Sequence, residues 1–133
     1  MNTHLNRRRL QDVRLWNKIR NSGYEYVAIR LCRGYAFLCW GADMRVSSWS
    51  EKVSVSYNPI SGLGDDERLL YLSRCRQDYL DWIDECIKQG VWYRAVMDIL
   101  FFGKSLKDVE KIYRHRHGWA ISNMMQAFEL YRK

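Results

Sequence analysis

The amino-acid sequence predicts a mainly α-helical protein that forms a single domain. Among its 133 residues there are one proline and eight glycines, so residues that break helices are few. Hydrophobic residues make up 47% of the chain and aromatic residues 14%, which is enough for a packed core and argues against disorder. Apolar side chains also recur at helical spacing in several separate segments.

Residues 1–64 are predicted to form an N-terminal helical part that contains a loop rich in serine and glycine. A period near 3.6 in Val13, Trp16 and Ile19 or Arg20 predicts a helix over residues 5–21, which Ser22-Gly23 ends. Residues 24–42 also show one apolar helical face, although their aromatic and β-branched residues would suit two strands broken at Gly34. We favour a helix because too few partner strands lie nearby to form a stable sheet.

Residues 43–64 have a different character, with many serine, glycine and asparagine residues around Pro59. Within them, residues 52–57 alternate with period two, which favours a strand or a short β-hairpin with residues 44–49. A hairpin near 44–57 and a connecting loop are therefore the two predictions for this segment.

Residues 65–133 are predicted to form the helical core. A long helix begins at Asp65-Asp66-Glu67, where acidic residues suit the positive end of the helix dipole, and ends before Gly90. Its predicted apolar stripe includes Leu69, Leu72 and Tyr79. Residues 91–102 are apolar nearly all round, Phe102 included, which predicts a buried central helix.

The net charge of +7 is distributed unevenly along the chain. Residues 1–33 carry +6, residues 34–103 carry −3, and residues 104–133 carry +4. Basic ends suggest a polyanionic partner, while the acidic middle suits solvent or a protein contact. The acidic residues of the long helix, Asp78, Asp81, Asp84 and Glu85, are the best candidates for a protein-binding surface.

The four cysteines, Cys32, Cys39, Cys75 and Cys86, form no C-x-x-C pair and follow no secretory signal pattern. We expect buried thiols in a cytoplasmic protein. No apolar segment reaches the length of about 18 residues that a membrane helix needs, so no membrane association is expected. His115 and His117 point apart on a helix, and no catalytic motif is present, so no metal, cofactor or enzymatic activity is expected.

Residues 103–133 predict two amphipathic helices joined by a basic turn. Ser105 is placed to cap the first helix, and its inner stripe is Leu106, Val109, Ile112 and Tyr113. Arg114, His115, Arg116 and His117 come at its end, and Gly118 can stop it in the left-handed conformation. In the second helix, Ile121, Phe128 and Tyr131, together with Met124 or Met125, are predicted to point inward. The residues predicted to point outward are Ser122, Asn123, Gln126, Glu129 and Lys133.

This arrangement resembles a helix-turn-helix, in particular that of region 4 of sigma factors and of several bacteriophage late-gene regulators. The matching residues are Gly103, Ser105, Asp108-Val109 and the helix after Trp119. In this chain Glu110 follows the acid-aliphatic pair, where the usual pattern has a small residue, and the glycine of the turn comes only at position 118. The first helix is therefore longer than usual, or the turn is an extended basic loop.

The resemblance implies a sequence-specific DNA-binding transcription regulator, typical of a phage or a phage-like element. Asn123 and Gln126 would read adenine, and Ser122 would contact a base or a phosphate. The side chains expected to neutralise phosphates are Lys104, Lys107, Arg114, Arg116, His117 and Lys133. Arg7, Arg8 and Arg9 would act as an arm in the minor groove.

Two alternatives to a DNA-binding regulator remain. One is an antitermination-type factor whose acidic middle binds RNA polymerase or another protein, and the other is an enzyme that acts on nucleic acid. Under the DNA-binding interpretation the partner is double-stranded DNA, and a homodimer is an expectation.

Overall fold

The computed structural model describes residues 13–41 and 64–131. Its helices are α1 (residues 13–21), α2 (Glu25–Trp40), α3 (Asp65–Gln89), α4 (Tyr93–Leu100), α5 (Leu106–Ile112) and α6 (Trp119–Glu129). The predicted mainly α-helical fold is confirmed. The hairpin predicted near 44–57 lies outside the described residues.

Helices α2 and α3 form the most extensive helix-helix interface of the described chain. Arg30 of α2 meets Asp78 of α3, and Gly34 meets Cys75, so the two helices run in opposite directions. At Gly34 the backbones approach so closely that an added Cβ would lie 2.3 Å from the carbonyl oxygen of Cys75. Gly34, which could have marked a break between two strands, is therefore the contact that lets two helices pack.

Helix α3 ends in the way that its sequence predicts. Gly90 adopts a left-handed conformation with φ of 71°. The amide of Gly90 donates to the carbonyl of Ile87, and that of Val91 donates to the carbonyl of Cys86. These two hydrogen bonds form a Schellman motif, which satisfies carbonyl groups that have no partner inside the helix.

The core joins every described helix, and α6 is fixed in it along its length. The indole Nε1 of Trp82 donates to the Ala127 carbonyl at 2.7 Å. Arg30 donates through Nε to the Tyr131 hydroxyl at 2.8 Å and through Nη2 to Asp78 at 2.7 Å. This buried cation joins α2 to α3 and to Tyr131, which follows α6, and removing Asp78 would leave its charge uncompensated.

The inner stripes of several helices are narrower than their sequences predict. Four residues predicted to be buried have exposures between 38% and 56%, namely Val13, Leu69, Phe102 and Ile112. Phe102 lies beyond the end of α4 at Leu100, and Ile112 is the last residue of the short helix α5. Apolar spacing indicates a helical face, but the neighbouring helices determine how much of that face is covered.

Cys32, Cys75 and Cys86 are buried, as predicted, whereas Cys39 is exposed. Burial raises the pKa of the Cys86 thiol to about 12, so it stays protonated at neutral pH. These three cysteines therefore serve as small core side chains.

Candidate nucleic-acid interface

The C-terminal unit consists of α4, α5 and α6, which pack on one another. Ser105 is the N-cap of α5, and its hydroxyl oxygen accepts a hydrogen bond from the Asp108 amide at 3.1 Å, as the sequence predicts. Val109 and Met124 are fully buried between the helices. The unit thus contains two packed helices, α5 and α6, that are joined by residues 113–118.

The connection between α5 and α6 is an extended basic loop. Helix α5 ends at Ile112, and Arg114 adopts a left-handed conformation with φ of 59°. The amide of Arg114 donates to the Lys111 carbonyl, and that of His115 donates to the Glu110 carbonyl at 2.8 Å. These bonds form a Schellman motif in which arginine stands where glycine is usual.

Gly118 is left-handed, as predicted, with φ of 90°. It is the N-cap of α6 and does not end α5, because Arg114 already does so. Arg114, Arg116 and His117, which were predicted to contact phosphates, are all exposed on this loop.

Glu110 is a buried acid that holds the start of α6. Its Oε2 accepts a hydrogen bond from the Ala120 amide at 3.0 Å, and its Oε1 lies 4.0 Å from Nδ1 of His117. A carboxylate at a helix N-terminus accepts a hydrogen bond from an amide that has no partner inside the helix, and it interacts favourably with the positive end of the helix dipole. The sequence signalled this residue only as a departure from the usual helix-turn-helix pattern.

Asn123 does not point outward, and that prediction is wrong. Its side chain is buried, with 6% exposure. The amide of Trp92 donates to Asn123 Oδ1 at 3.0 Å, and Asn123 Nδ2 donates to the Trp92 carbonyl at 3.0 Å. Both polar groups of the side chain are therefore used to join α6 to the segment between α3 and α4. Asn123 could read a base only if both hydrogen bonds were broken.

Ser122 and Gln126, the other candidate base readers, are exposed on α6. They lie four residues apart, so they share one face of the helix. Arg7, Arg8, Arg9 and Lys133 lie outside the described residues.

A groove of about 930 Å³ lies between α1 and the C-terminal unit. Lys104, Lys107 and His117, all predicted phosphate contacts, line it. Four more basic residues, which were not predicted to contact phosphates, also line it: Arg14, Lys18, Lys111 and His115. Residues about ninety positions apart in the chain thus form one basic surface, which ends at Gly118 and Ile121 where α6 begins.

One carboxylate, that of Glu110, is among the described residues that line this groove. Five lysine and arginine side chains therefore give the lining a formal excess of four positive charges, with histidines neutral. Lys104 also lies 3.9 Å from Asp98, which accepts a hydrogen bond from the Tyr113 hydroxyl at 2.8 Å. Because Lys104 is partly compensated, most of the positive field comes from the other four cations.

An aromatic cluster lies beside the basic loop. The rings of His115 and Trp119 are stacked, with centroids 3.8 Å apart, and Trp92 meets both edge-on. Trp119 is half-buried and packs against His115, while Trp92 remains 50% exposed. These contacts support the conformation of the loop that carries the exposed cations.

The acidic surface predicted on α3 is smaller than its sequence suggests. Asp78 is occupied by Arg30, so it is not available to a protein partner as a free acid. Asp81 accepts a hydrogen bond from Gln77, and Asp81 and Asp84 are exposed. These two carboxylates, with half-buried Glu85, remain the candidate protein-binding acids.

Among residues 13–41 and 64–131, no three His, Cys, Asp or Glu side chains are grouped so that they could hold a metal ion. Within the same residues, no helix combines the length and the apolar character needed to cross a membrane. Comparisons with protein families, curated proteins and solved structures found no match.

Proposed function

We propose that the protein binds double-stranded DNA and acts as a sequence-specific transcription regulator. The observation that supports this proposal most strongly is the convergence of Arg14 and Lys18 with Lys104, Lys107 and Lys111 around one groove. Lysine and arginine side chains spread over one surface neutralise the phosphates of a duplex and release condensed counterions. Arg114 and Arg116 extend the same charge along the exposed loop.

The position of α6 supports a role for this helix in reading bases. The helix begins at the end of the cationic groove, and its exposed side chains include Ser122 and Gln126. A glutamine amide can pair bidentately with adenine in the major groove, and a serine hydroxyl can contact either a base or a phosphate. Because Glu110, Asn123 and Trp82 fix the backbone of α6, these side chains are presented from a rigid support.

Binding as a homodimer to a two-fold DNA site would double the phosphate and base contacts, and regulators of this size often use that geometry.

The alternative function is binding to RNA polymerase. In it, RNA polymerase would contact the exposed acids Asp81 and Asp84 of α3, and the basic surfaces would only assist.

The decisive experiment measures DNA affinity against salt concentration, with duplexes enriched from a random pool on the purified protein. If all five lysine and arginine side chains of the groove contact phosphates, they will contribute about −4.5 to the slope of log affinity against log salt, and each contact from Arg114 or Arg116 will add about −0.9. Lys107→Ala and Lys111→Ala should each reduce the steepness by about 0.9. Lys88→Ala, an exposed control on α3 that does not line the groove, should leave the slope unchanged. Absence of duplex binding at low salt would refute the proposal.

The candidate base readers require a separate measurement of sequence preference. Ser122→Ala and Gln126→Ala should reduce the preference for the enriched site while nonspecific affinity stays close to that of the wild type. A uniform loss of affinity for all duplexes would show that α6 does not read bases. Polymerase binding that is abolished by Asp81→Asn and Asp84→Asn, without duplex binding, would favour the alternative function.

A further inference from the structure

The cationic groove has an apolar floor, which contact with phosphates does not require. Leu15, Ile99, Leu106 and Ile121 contribute to its lining, one each from α1, α4, α5 and α6. Ile99 is buried, and the other three side chains are half-buried. Phosphate oxygens need only cations and hydrogen-bond donors. The floor therefore indicates a ligand that has an apolar part.

The dimensions of the groove favour a small molecule over a peptide helix. Its volume of about 930 Å³ lies within the range of small-molecule sites. A peptide helix docks through anchors spaced along several turns, and it needs a long apolar groove. Here α5 has seven residues and is only about 10 Å long, and each helix contributes a single side chain to the floor.

The charges around the floor specify the other part of the ligand. Lys107 and Lys111 lie one turn apart on α5, and Arg14 and Lys18 lie one turn apart on α1. Glu110, the carboxylate among the described lining residues, already accepts a hydrogen bond from the Ala120 amide. The groove therefore complements an anion at its rim and an apolar body at its floor.

We propose that this groove binds an amphipathic anion of small-molecule size, with an acyl or aromatic body on the floor and a carboxylate or phosphate group held by the rim cations. The same cations serve phosphate contact in the proposed function, so the ligand and DNA compete. That competition rests on the proposed function, whereas binding of the ligand does not.

The test is isothermal titration of the full chain with decyl phosphate and with decanoate, both kept below the concentration at which they form micelles. Decanol lacks the charge, inorganic phosphate lacks the apolar body, and decyltrimethylammonium reverses the charge. At least one of the two anions should bind with one-to-one stoichiometry and at least about tenfold more tightly than each of the three controls, a difference of about 1.4 kcal/mol. The stronger of the two anions identifies the preferred head group.

Variants locate the binding site. Lys107→Ala and Lys111→Ala should weaken binding of the anion, Leu106→Gln should weaken it through the floor, and Lys88→Ala should leave it unchanged. Circular dichroism checks the fold of Leu106→Gln, and the two lysine variants suffice if that variant fails to fold. Equal binding of decanol and the anions, or wild-type affinity in both lysine variants, would overturn the proposal. So would binding of an acidic amphipathic peptide without binding of either decyl anion.

A DNA competition measurement separates this proposal from the proposed function. Decyl phosphate should lower duplex affinity, while inorganic phosphate at the same concentration should not. Binding of a decyl anion without any duplex binding would support the groove ligand and refute the DNA-binding function. Duplex binding without affinity for either anion would support the DNA-binding function and refute the groove ligand.

Discussion

Replacing Asn123 with alanine tests whether this residue supports the fold or reads a base. The substitution removes two hydrogen bonds of 3.0 Å between Asn123 and the backbone of Trp92. Each such bond contributes about 1 kcal/mol net. We therefore expect Asn123→Ala to lower the free energy of unfolding by about 2 kcal/mol.

A loss of that size should lower Tm by about 6–8 °C in a chain of this length. Urea unfolding followed by circular dichroism measures the free energy, and differential scanning calorimetry measures Tm. Gln126→Ala is the matched control on the exposed face of α6, and it should change stability by less than about 0.5 kcal/mol. At a temperature where Asn123→Ala is folded, it should keep the DNA preference of the wild type.

The reasoning would be refuted if Asn123→Ala were as stable as Gln126→Ala. It would also be refuted if the folded Asn123→Ala protein lost sequence preference selectively, because a residue used only in packing has no contact with bases.

Three further predictions concern positions where the backbone or a titrating group is constrained. Gly34→Ala should lower the free energy of unfolding in urea by about 3 kcal/mol, because the added Cβ would collide with the Cys75 carbonyl. At Gly64 an added Cβ meets no atom within 4 Å, so Gly64→Ala should lower it by less than about 1 kcal/mol. Arg114→Gly should raise stability by about 1 kcal/mol by relieving the left-handed conformation, and equal or lower stability would contradict this. Burial and the hydrogen bond to Asp98 raise the pKa of Tyr113 to about 12 in the folded protein. As pH rises, Tyr113 therefore loses its proton in the unfolded protein first, and the free energy of unfolding should fall between about pH 10 and 12. Tyr113→Phe should make that fall shallower in urea unfolding at successive pH values, and an unchanged pH dependence would contradict the assignment.

Local signals in the sequence predicted most of the helices and several of their ends. Helix α3 has its acidic first turn and its terminating glycine where the sequence predicts them, and both depend on interactions within one turn of the helix. The cap at Ser105 depends on an amide three residues away, so it too could be predicted. Signals of this kind are local because the hydrogen bonds concerned join neighbouring residues.

The composition of the candidate interface was only partly predictable. Lys104, Lys107 and His117 were identified from their place near the basic turn, and all three line the groove. Arg14 and Lys18 were not connected with it, because nothing in their local sequence shows that α1 packs beside α5. Side chains far apart in the chain come together only through packing, which charge counts along the sequence do not describe.

By itself, then, the sequence determined the helical class, the helix ends that have local caps, and the basic character of the C-terminal unit. The tertiary structure decided which polar residues remain available to a partner. Asn123 and Glu110 both lie on amphipathic helices, but each meets a backbone amide of another segment and is buried there. Helical periodicity gives the direction of a side chain from its own helix, whereas burial depends on what other helices place in that direction.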